Sequence, residues 1–392
     1  MISANSVNTQ QPRLPLRILH TESSMELGGQ EFRIINEIAG MVKRGHYVVL
    51  AVQPCSQLAI RAKQHGIVVE EVNMSPVRWL WLIVVFLKII TRHQIEVVNS
   101  HGSIDSWTAA IAGRFSRRYP LIIRTRHKST MISKTWRHRV LYQRLPHAVT
   151  TTGEAVRNLV IQQADVPAER VFSIPTGVDL EAFHPDVTGH SRKAQHSLTD
   201  QPLVIGTVAF FRTYKGLSYL LEAFHIVASS FPHAKLHLVG DGPDYASIVK
   251  KRDELGLHEQ VVLTGFQEDV ALLLASFDVF VLTSIEAEGV PQSLTQAMAM
   301  GVAVVATDVG SVREVVEHET TGLLVEAKNS GSLAHAIIRL ATNQELREKL
   351  GQSAKRHIAE SYSFHGMLVR TECVYRECLD RQISGSVIVS GT

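Results

Sequence analysis

The sequence predicts an α/β protein of two doubly wound, Rossmann-like domains. Three observations carry this. The chain has 392 residues, too many for one ordinary domain. Short β-branched runs alternate with helix-period segments along its length, a pattern that calls for parallel sheets under helices. The run Val302 to Ala306 is apolar at every position, so its strand is buried on both faces, as in a parallel sheet.

Composition narrows the class. Three cysteines, Cys55, Cys373 and Cys378, are an odd and sparse set that points to a reducing, cytoplasmic compartment. None stands at metal-ligand spacing, so packing or surface thiols are expected there rather than a metal site. The net charge is +3, but residues 1–185 hold 22 Lys+Arg against 13 Asp+Glu and residues 186–392 hold 18 against 24. No acidic residue lies between Asp105 and Glu154, while ten cations run from Arg114 to Arg144. Such a face attracts anions: phospholipid, a phosphorylated acceptor or nucleic acid. A solvated face without a partner is the plain alternative. Nucleic acid is not expected, because no recognition module accompanies the charge.

The N-terminal half begins with a polar stretch, residues 1–14, expected to be a disordered leader. Leu16 to His20 reads as a strand. A loop with Gly28 and Gly29 follows, then a helix from about Gln30 to Arg44. Paired glycines at a strand-to-helix junction let backbone amides approach a diphosphate, and a plain tight turn explains them equally well. The run Trp79 to Ile90 holds 12 residues, Lys88 among them, and is too short to span a bilayer. A buried helix is the expectation. The alternative is a membrane-surface helix with Trp79 and Trp81 at its polar edge, flanked by Arg78 and Arg92. Strands are expected at Tyr47–Val52, Ile95–Ser100, Leu121–Thr125 and Ala148–Thr152. His101 and His127 stand just past two of these strands, where open parallel sheets place their ligand crevice.

A strand and turn at Val171–Asp179 lead to a polar linker over residues 186–201. A second α/β series follows. The strand Val204–Ala209 runs into a loop with Arg212 and Lys215, two cations suited to a phosphate pair near a helix start. Strands at Lys235–Val239, Val261–Thr264 and Val279–Leu282 run into Gly240–Pro243, Gly265 and an acidic loop that ends at Glu288. A helix from Ser293 to Met300 stops at Gly301. Its start offers the amides of Val290 and Gln292, since Pro291 has no N–H. The domains are therefore expected at residues 15–185 and 186–365.

Taken in order, Gly28-Gly29, His127, PTGVD at 175–179, FRTYKG at 211–216, GDGP at 240–243, TGF at 264–266 and EGVPQSLTQAMAMGVAVVATDVG at 288–310 resemble a family 4 glycosyltransferase of the GT-B fold. The resemblance implies two Rossmann-like domains facing across a cleft, with a C-terminal helix, 366–392, crossing back to the first. It implies a nucleotide-sugar donor, transfer with retention of anomeric configuration, and no cofactor or metal. By position, Glu288 matches the residue facing the donor sugar, and Arg212 and Lys215 the pair holding the diphosphate. Gly29 matches the glycine whose amide meets that diphosphate, and His127 the histidine near the reacting centre. Two positions depart from the pattern. Thr176 stands where asparagine is common, and Gln296 replaces the second motif glutamate, whose family role is to accept from the ribose hydroxyls.

The implied acceptor is a cell-surface glycan or a lipid-linked precursor of lipopolysaccharide, capsule or exopolysaccharide. A peripheral position on the inner face of the cytoplasmic membrane would suit it. A sugar-nucleotide epimerase of the same fold and a non-catalytic nucleotide-sugar-binding scaffold on the membrane are the alternatives.

Overall fold

The computed structural model describes residues 14–26, 28–185 and 202–389. The expected leader, apart from Leu14, and the expected linker over residues 186–201 lie outside them. The first sheet contains β1 (Arg17–Glu22), β2 (Tyr47–Val52), β3 (Val68–Glu71), β4 (Val97–Ser100), β5 (Leu121–Arg126), β6 (Ala148–Thr151) and β7 (Val171–Ser173). The second contains β8 (Val204–Val208), β9 (Lys235–Val239), β10 (Val261–Gly265), β11 (Val279–Leu282), β12 (Ala303–Thr307) and β13 (Leu323–Val325). The strand orders are β3-β2-β1-β4-β5-β6-β7 and β10-β9-β8-β11-β12-β13. The pairings β1 with β2 and β4, and β8 with β9 and β11, are parallel. In each sheet the order reverses beside the first strand, and that switch point opens a crevice at the carboxyl edge.

The period of two along a strand divides the second sheet's side chains between two cores. Ile205, Leu236, Leu238, Val279, Val281, Val305 and Leu323 pack on one face with the helices Leu217–Ser230 and Ser330–Thr342. Val204, Val239, Phe280, Leu282, Val304 and Ala306 pack on the other with the helix Gln292–Ala299. Both faces are covered, which is why β12 carries no polar side chain short of Thr307.

Contacts gather the described residues into two compact units. One holds the chain up to Thr125, Val140–Ala148 and the chain from Glu377 on; the other holds Arg126–Arg139 and Val149–Arg376. In the first, the side-chain amide of Gln382 donates to the Tyr119 carbonyl at 2.9 Å. In the second, the PTGVD segment is structural. Val178 N–H donates to Tyr362 O, and Phe364 N–H donates to Val178 O, each at 2.8 Å. A Cβ at Gly177 would lie 2.6 Å from the Phe364 Cα, so only glycine admits this crossing of two backbones.

The helix Trp79–Arg92 is not the buried helix expected from its composition. Leu82, Phe86, Ile89 and Ile90 are buried against Leu19, Val98, Ala109 and Ala112. The opposite stripe is open: Val77, just before the helix, is 91% exposed, Leu80 63%, Trp81 49% and Val84 48%. No helix among the described residues is long and apolar enough to cross a membrane.

Candidate functional site

The loops leaving β8, β9, β11 and β12 are tied to one another by their backbones. After β8, Phe211 N–H donates to Asp241 O at 2.8 Å, and Asp244 N–H donates back to Phe211 O at 3.1 Å. The Thr213 hydroxyl adds a bond to Asp244 Oδ2 at 2.7 Å. Thr213–Lys215 then form one 3-10 turn, closed by Gly216 at φ +65°. A Cβ there would stand 2.1 Å from the Thr283 carbonyl oxygen, so the sequence needs glycine for both conformation and space. The Thr283 hydroxyl donates to Lys215 O and Ile285 N–H donates to Tyr214 O, each at 2.8 Å.

This framework aims Lys215 at Glu288. The ammonium reaches both carboxylate oxygens at 2.8 Å, and the two side chains are only 17% and 13% exposed. The Ser284 hydroxyl also donates to Glu288 Oε1. The Glu288 backbone is held from below. Its carbonyl accepts from Ser311 N–H at 2.9 Å, and a Cβ at Gly310 would lie 2.3 Å from that oxygen. Lys215 has three N–H donors, so one remains for a further acceptor. Arg212 opens the same turn, its guanidinium 5.1 Å from the centre of the Phe210 ring.

The helix Gln292–Ala299 starts after Pro291, which supplies no capping side chain. Its first N–H groups, Gln292's among them, are therefore available to an anion. Val290 differs from the sequence expectation: its N–H donates to the Thr152 carbonyl at 3.1 Å and is engaged within the protein. Gln296 is half-buried, on the same face as Gln292 and Ser293. The helix ends as expected at Gly301, φ +70°. Val302 N–H donates to Ala297 O at 3.1 Å and Gly301 N–H to Met298 O at 2.9 Å, the paired bonds of a glycine C-cap. Gly265 ends β10 at φ +67°, and its carbonyl accepts from Gly240 N–H at 2.9 Å.

His127 directly follows β5 and is half-buried. Two residues on, the Ser129 hydroxyl donates to the Ala287 carbonyl. The loop that carries His127 is thereby joined to the loop that carries Glu288.

In the first unit, Gly28 caps the helix Gly29–Lys43, and its N–H donates to Glu31 Oε2 at 2.8 Å. A Cβ at Gly29 would meet nothing within 4 Å, so its backbone faces open space. Beside this loop lies a buried polar cluster. Glu22 accepts from Ser24 N–H at 2.9 Å and from the Gln30 amide. Burial, with Asp105 and Glu31 adding repulsion, pushes its carboxyl up to about 8. Asp105 is also raised by burial, although it accepts from the Thr21 hydroxyl at 2.8 Å and Gly102 N–H at 3.1 Å. His101 is buried rather than ligand-facing, with Nε2 2.9 Å from His20 Nδ1. Burial pulls His20 down to about 3.

No group of three or more His, Cys, Asp or Glu side chains among the described residues could hold a metal ion. What the second unit offers is an ion pair, a second cation and a helix start, at one sheet edge.

Residues 190–357 match the family described as glycosyl transferases group 1, and residues 27–182 match glycosyltransferase family 4. The chain belongs to the group 1 glycosyltransferases. It is 30% identical over 195 residues to the N-acetyl-α-D-glucosaminyl L-malate synthase of Bacillus anthracis, a match covering 50% of this chain and 51% of that one. The chain thus spans about half the length of that relative. It is 23% identical to the UDP-Gal:α-D-GlcNAc-diphosphoundecaprenol α-1,3-galactosyltransferase of Escherichia coli, covering 70% of this chain and 73% of that one. The Anabaena protein HepE, solved with UDP, superposes with a TM-score of 0.81 at 22% identity, covering 92% of this chain and 100% of that one. That likeness establishes the GT-B fold.

Three further residues, absent from the sequence expectations, hold these loops. Thr152 holds the Val290 amide. The Glu314 carboxylate accepts from Glu154 N–H and Ala155 N–H, each at 2.7 Å, and so caps the helix Glu154–Ala164. Ser284 belongs to the SIEAEG run, and its contact with Glu288 is set by the loop, not by any helical spacing.

Proposed function

We propose that this glycosyltransferase moves a sugar, with retention of anomeric configuration, from a nucleoside-diphosphate donor to a polysaccharide or lipid-linked precursor at a membrane surface. The observation that carries the donor half is the Lys215–Glu288 pair, held at the carboxyl ends of β8 and β11 by four loops. When the anomeric C–O bond breaks, negative charge grows on the departing diphosphate. Lys215 and Arg212, on one turn, are placed to meet that charge, and the start of the helix Gln292–Ala299 adds free amides and partial positive charge. Glu288 orients the sugar and holds Lys215. Gln296, on the outward face of that helix, pairs with the ribose. His127 serves the reacting centre.

The acceptor half rests on the E. coli relative, whose named substrate is lipid-linked, and on the open apolar stripe of the helix Trp79–Arg92. Residues 72–95 contain no acid and include Arg78, Lys88 and Arg92. A half-exposed helix with two tryptophans and flanking cations suits an anionic bilayer surface.

The test is a panel of nucleoside diphosphates and their sugars, read by thermal unfolding. The matching donor should stabilise the protein by about 2.7 kcal/mol at a concentration 100 times its Kd. A panel in which nothing raises the melting temperature would contradict the donor reading. Retention is read separately, from the anomeric proton coupling of the product.

A further inference from the structure

The ten cations from Arg114 to Arg144 do not form one surface. Arg124 is buried, 4.6 Å from the centre of the Tyr142 ring and bonded to Gly102 O at 3.2 Å. Arg114 donates to the carbonyls of Leu145 and Arg144 at 3.0 Å each. Arg118 reaches Gln94 O at 3.5 Å, and Arg126 donates to the Thr130 carbonyl. These four brace the fold. Lys128, Lys134, Arg137 and Arg139 are different: all are exposed, and none has an ion-pair partner among the described residues.

Those four share one segment with two open apolar side chains, Met131 at 81% and Trp136 at 69% exposure. The Arg137 guanidinium stands 5.7 Å from the centre of the Trp136 ring. The segment is anchored at Gln163 and at Ala287, and the Gln163 amide also donates to Met131 Sδ at 3.2 Å. Ile132 N–H donates to the Gln163 side-chain oxygen at 2.7 Å, and the Ser129 hydroxyl donates to Ala287 O, one residue from Glu288. Unpaired cations and uncovered apolar surface are thus fastened to the loop that carries the donor carboxylate.

We propose that residues 128–139 form the acceptor subsite, and that the acceptor carries a phosphate or diphosphate joined to an apolar chain. This rests on glycosyl transfer at Lys215 and Glu288. Cations on exposed stems recognise phosphate oxygens by charge-assisted hydrogen bonds. Trp136 and Met131 offer a rigid and an adaptable apolar surface to the first units of the chain. An uncharged glycan would meet neither need: its hydroxyls call for neutral donors and acceptors, and four cations would go unmatched.

The test is calorimetric titration of the full chain, with excess UDP to occupy the diphosphate loop. The probes are farnesyl diphosphate, inorganic pyrophosphate, farnesol and monomeric dihexanoylphosphatidylglycerol. Farnesyl diphosphate should bind best. The exposed triple variant Lys134→Gln, Arg137→Gln, Arg139→Gln should bind it about tenfold or more weakly, with unchanged UDP affinity. Trp136→Ala should weaken farnesyl diphosphate and leave pyrophosphate alone. Wild-type affinity in the triple variant would overturn the proposal. So would farnesol or the phosphatidylglycerol binding as tightly as farnesyl diphosphate, which would mark a greasy patch or a general anionic surface. Failure of UDP to bind would exclude uridine as the donor base, and the comparison of wild type with triple variant would still decide the subsite.

Discussion

Gln296 shows what one departure from a family pattern costs. It is half-buried beside Gln292 and Ser293, so a carboxylate there would not be sealed in a core. Gln296→Glu should melt normally and bind the donor nucleotide about fivefold more tightly, the difference between a charge-assisted and a neutral hydrogen bond. Calorimetry with parallel melting curves checks this; early melting without tighter binding would mean that this face does not meet the ribose. Glu22 and His20 set a pH dependence. Burial raises Glu22 from 4.5 to about 8, so its contribution to stability is fully present below pH 4.5 and is lost as pH rises toward 8. His20 is lowered from 6.5 to about 3, so its contribution is present above pH 6.5 and lost as pH falls. Between 4.5 and 6.5 Glu22 and His20 oppose each other; above 6.5 the Glu22 loss remains, at up to about 1.4 kcal/mol per pH unit, and Asp105, also raised by burial, acts in the same direction. Denaturant unfolding should therefore show stability falling from pH 6.5 to 8, and Glu22→Gln should flatten that limb. A wild-type stability that rises over this range would contradict the burial of Glu22. Glu22 was not legible in the sequence, because a lone acid near a strand end looks solvated until the fold closes over it. Lys215 and Glu288 stand out in the sequence because each follows a strand and precedes a helix, whereas their ion pair is seen only in the fold.

At the scale of elements, glycine positions carry predictions that side chains do not. Gly310 has φ +53°, and a Cβ would stand 2.4 Å from the Glu288 nitrogen. Gly310→Ala should cost roughly 1–2 kcal/mol for the left-handed backbone alone. It should also displace the Glu288 loop, so nucleotide-sugar stabilisation should fall more than the melting temperature does. A variant that melts early but keeps full donor stabilisation would uncouple Gly310 from the site. The helix ending at Gly301 could be read from its apolar spacing and its stop. The helix Trp79–Arg92 could not be placed, because a segment apolar all round has no periodicity to show which face is covered. Its open stripe gives a direct test. The triple variant Trp79→Ser, Leu80→Ser, Trp81→Ser should fold normally, since surface changes seldom exceed about 0.5 kcal/mol. It should also lose co-sedimentation with phosphatidylglycerol vesicles. Equal sedimentation of variant and wild type would exclude this helix as the membrane contact.

For the molecule as a whole, the strand alternation and the loop motifs were legible because parallel sheets impose both: buried strands without polar positions, and glycines at carboxyl-edge turns. The contact units were not, because Arg126–Arg139 and Glu377 onward associate through backbone and side-chain bonds that no periodicity announces. The central claim is that the loop after β8 and the acidic loop after β11 form one diphosphate site. Calorimetric titration of wild type and Lys215→Ala with the stabilising nucleoside diphosphate and its parent nucleoside tests it most directly. Wild type should prefer the diphosphate, and Lys215→Ala should lose about ten- to a hundredfold in diphosphate affinity, as for one charge-assisted hydrogen bond, with nucleoside affinity unchanged. An undiminished preference for the diphosphate in Lys215→Ala would place the diphosphate elsewhere.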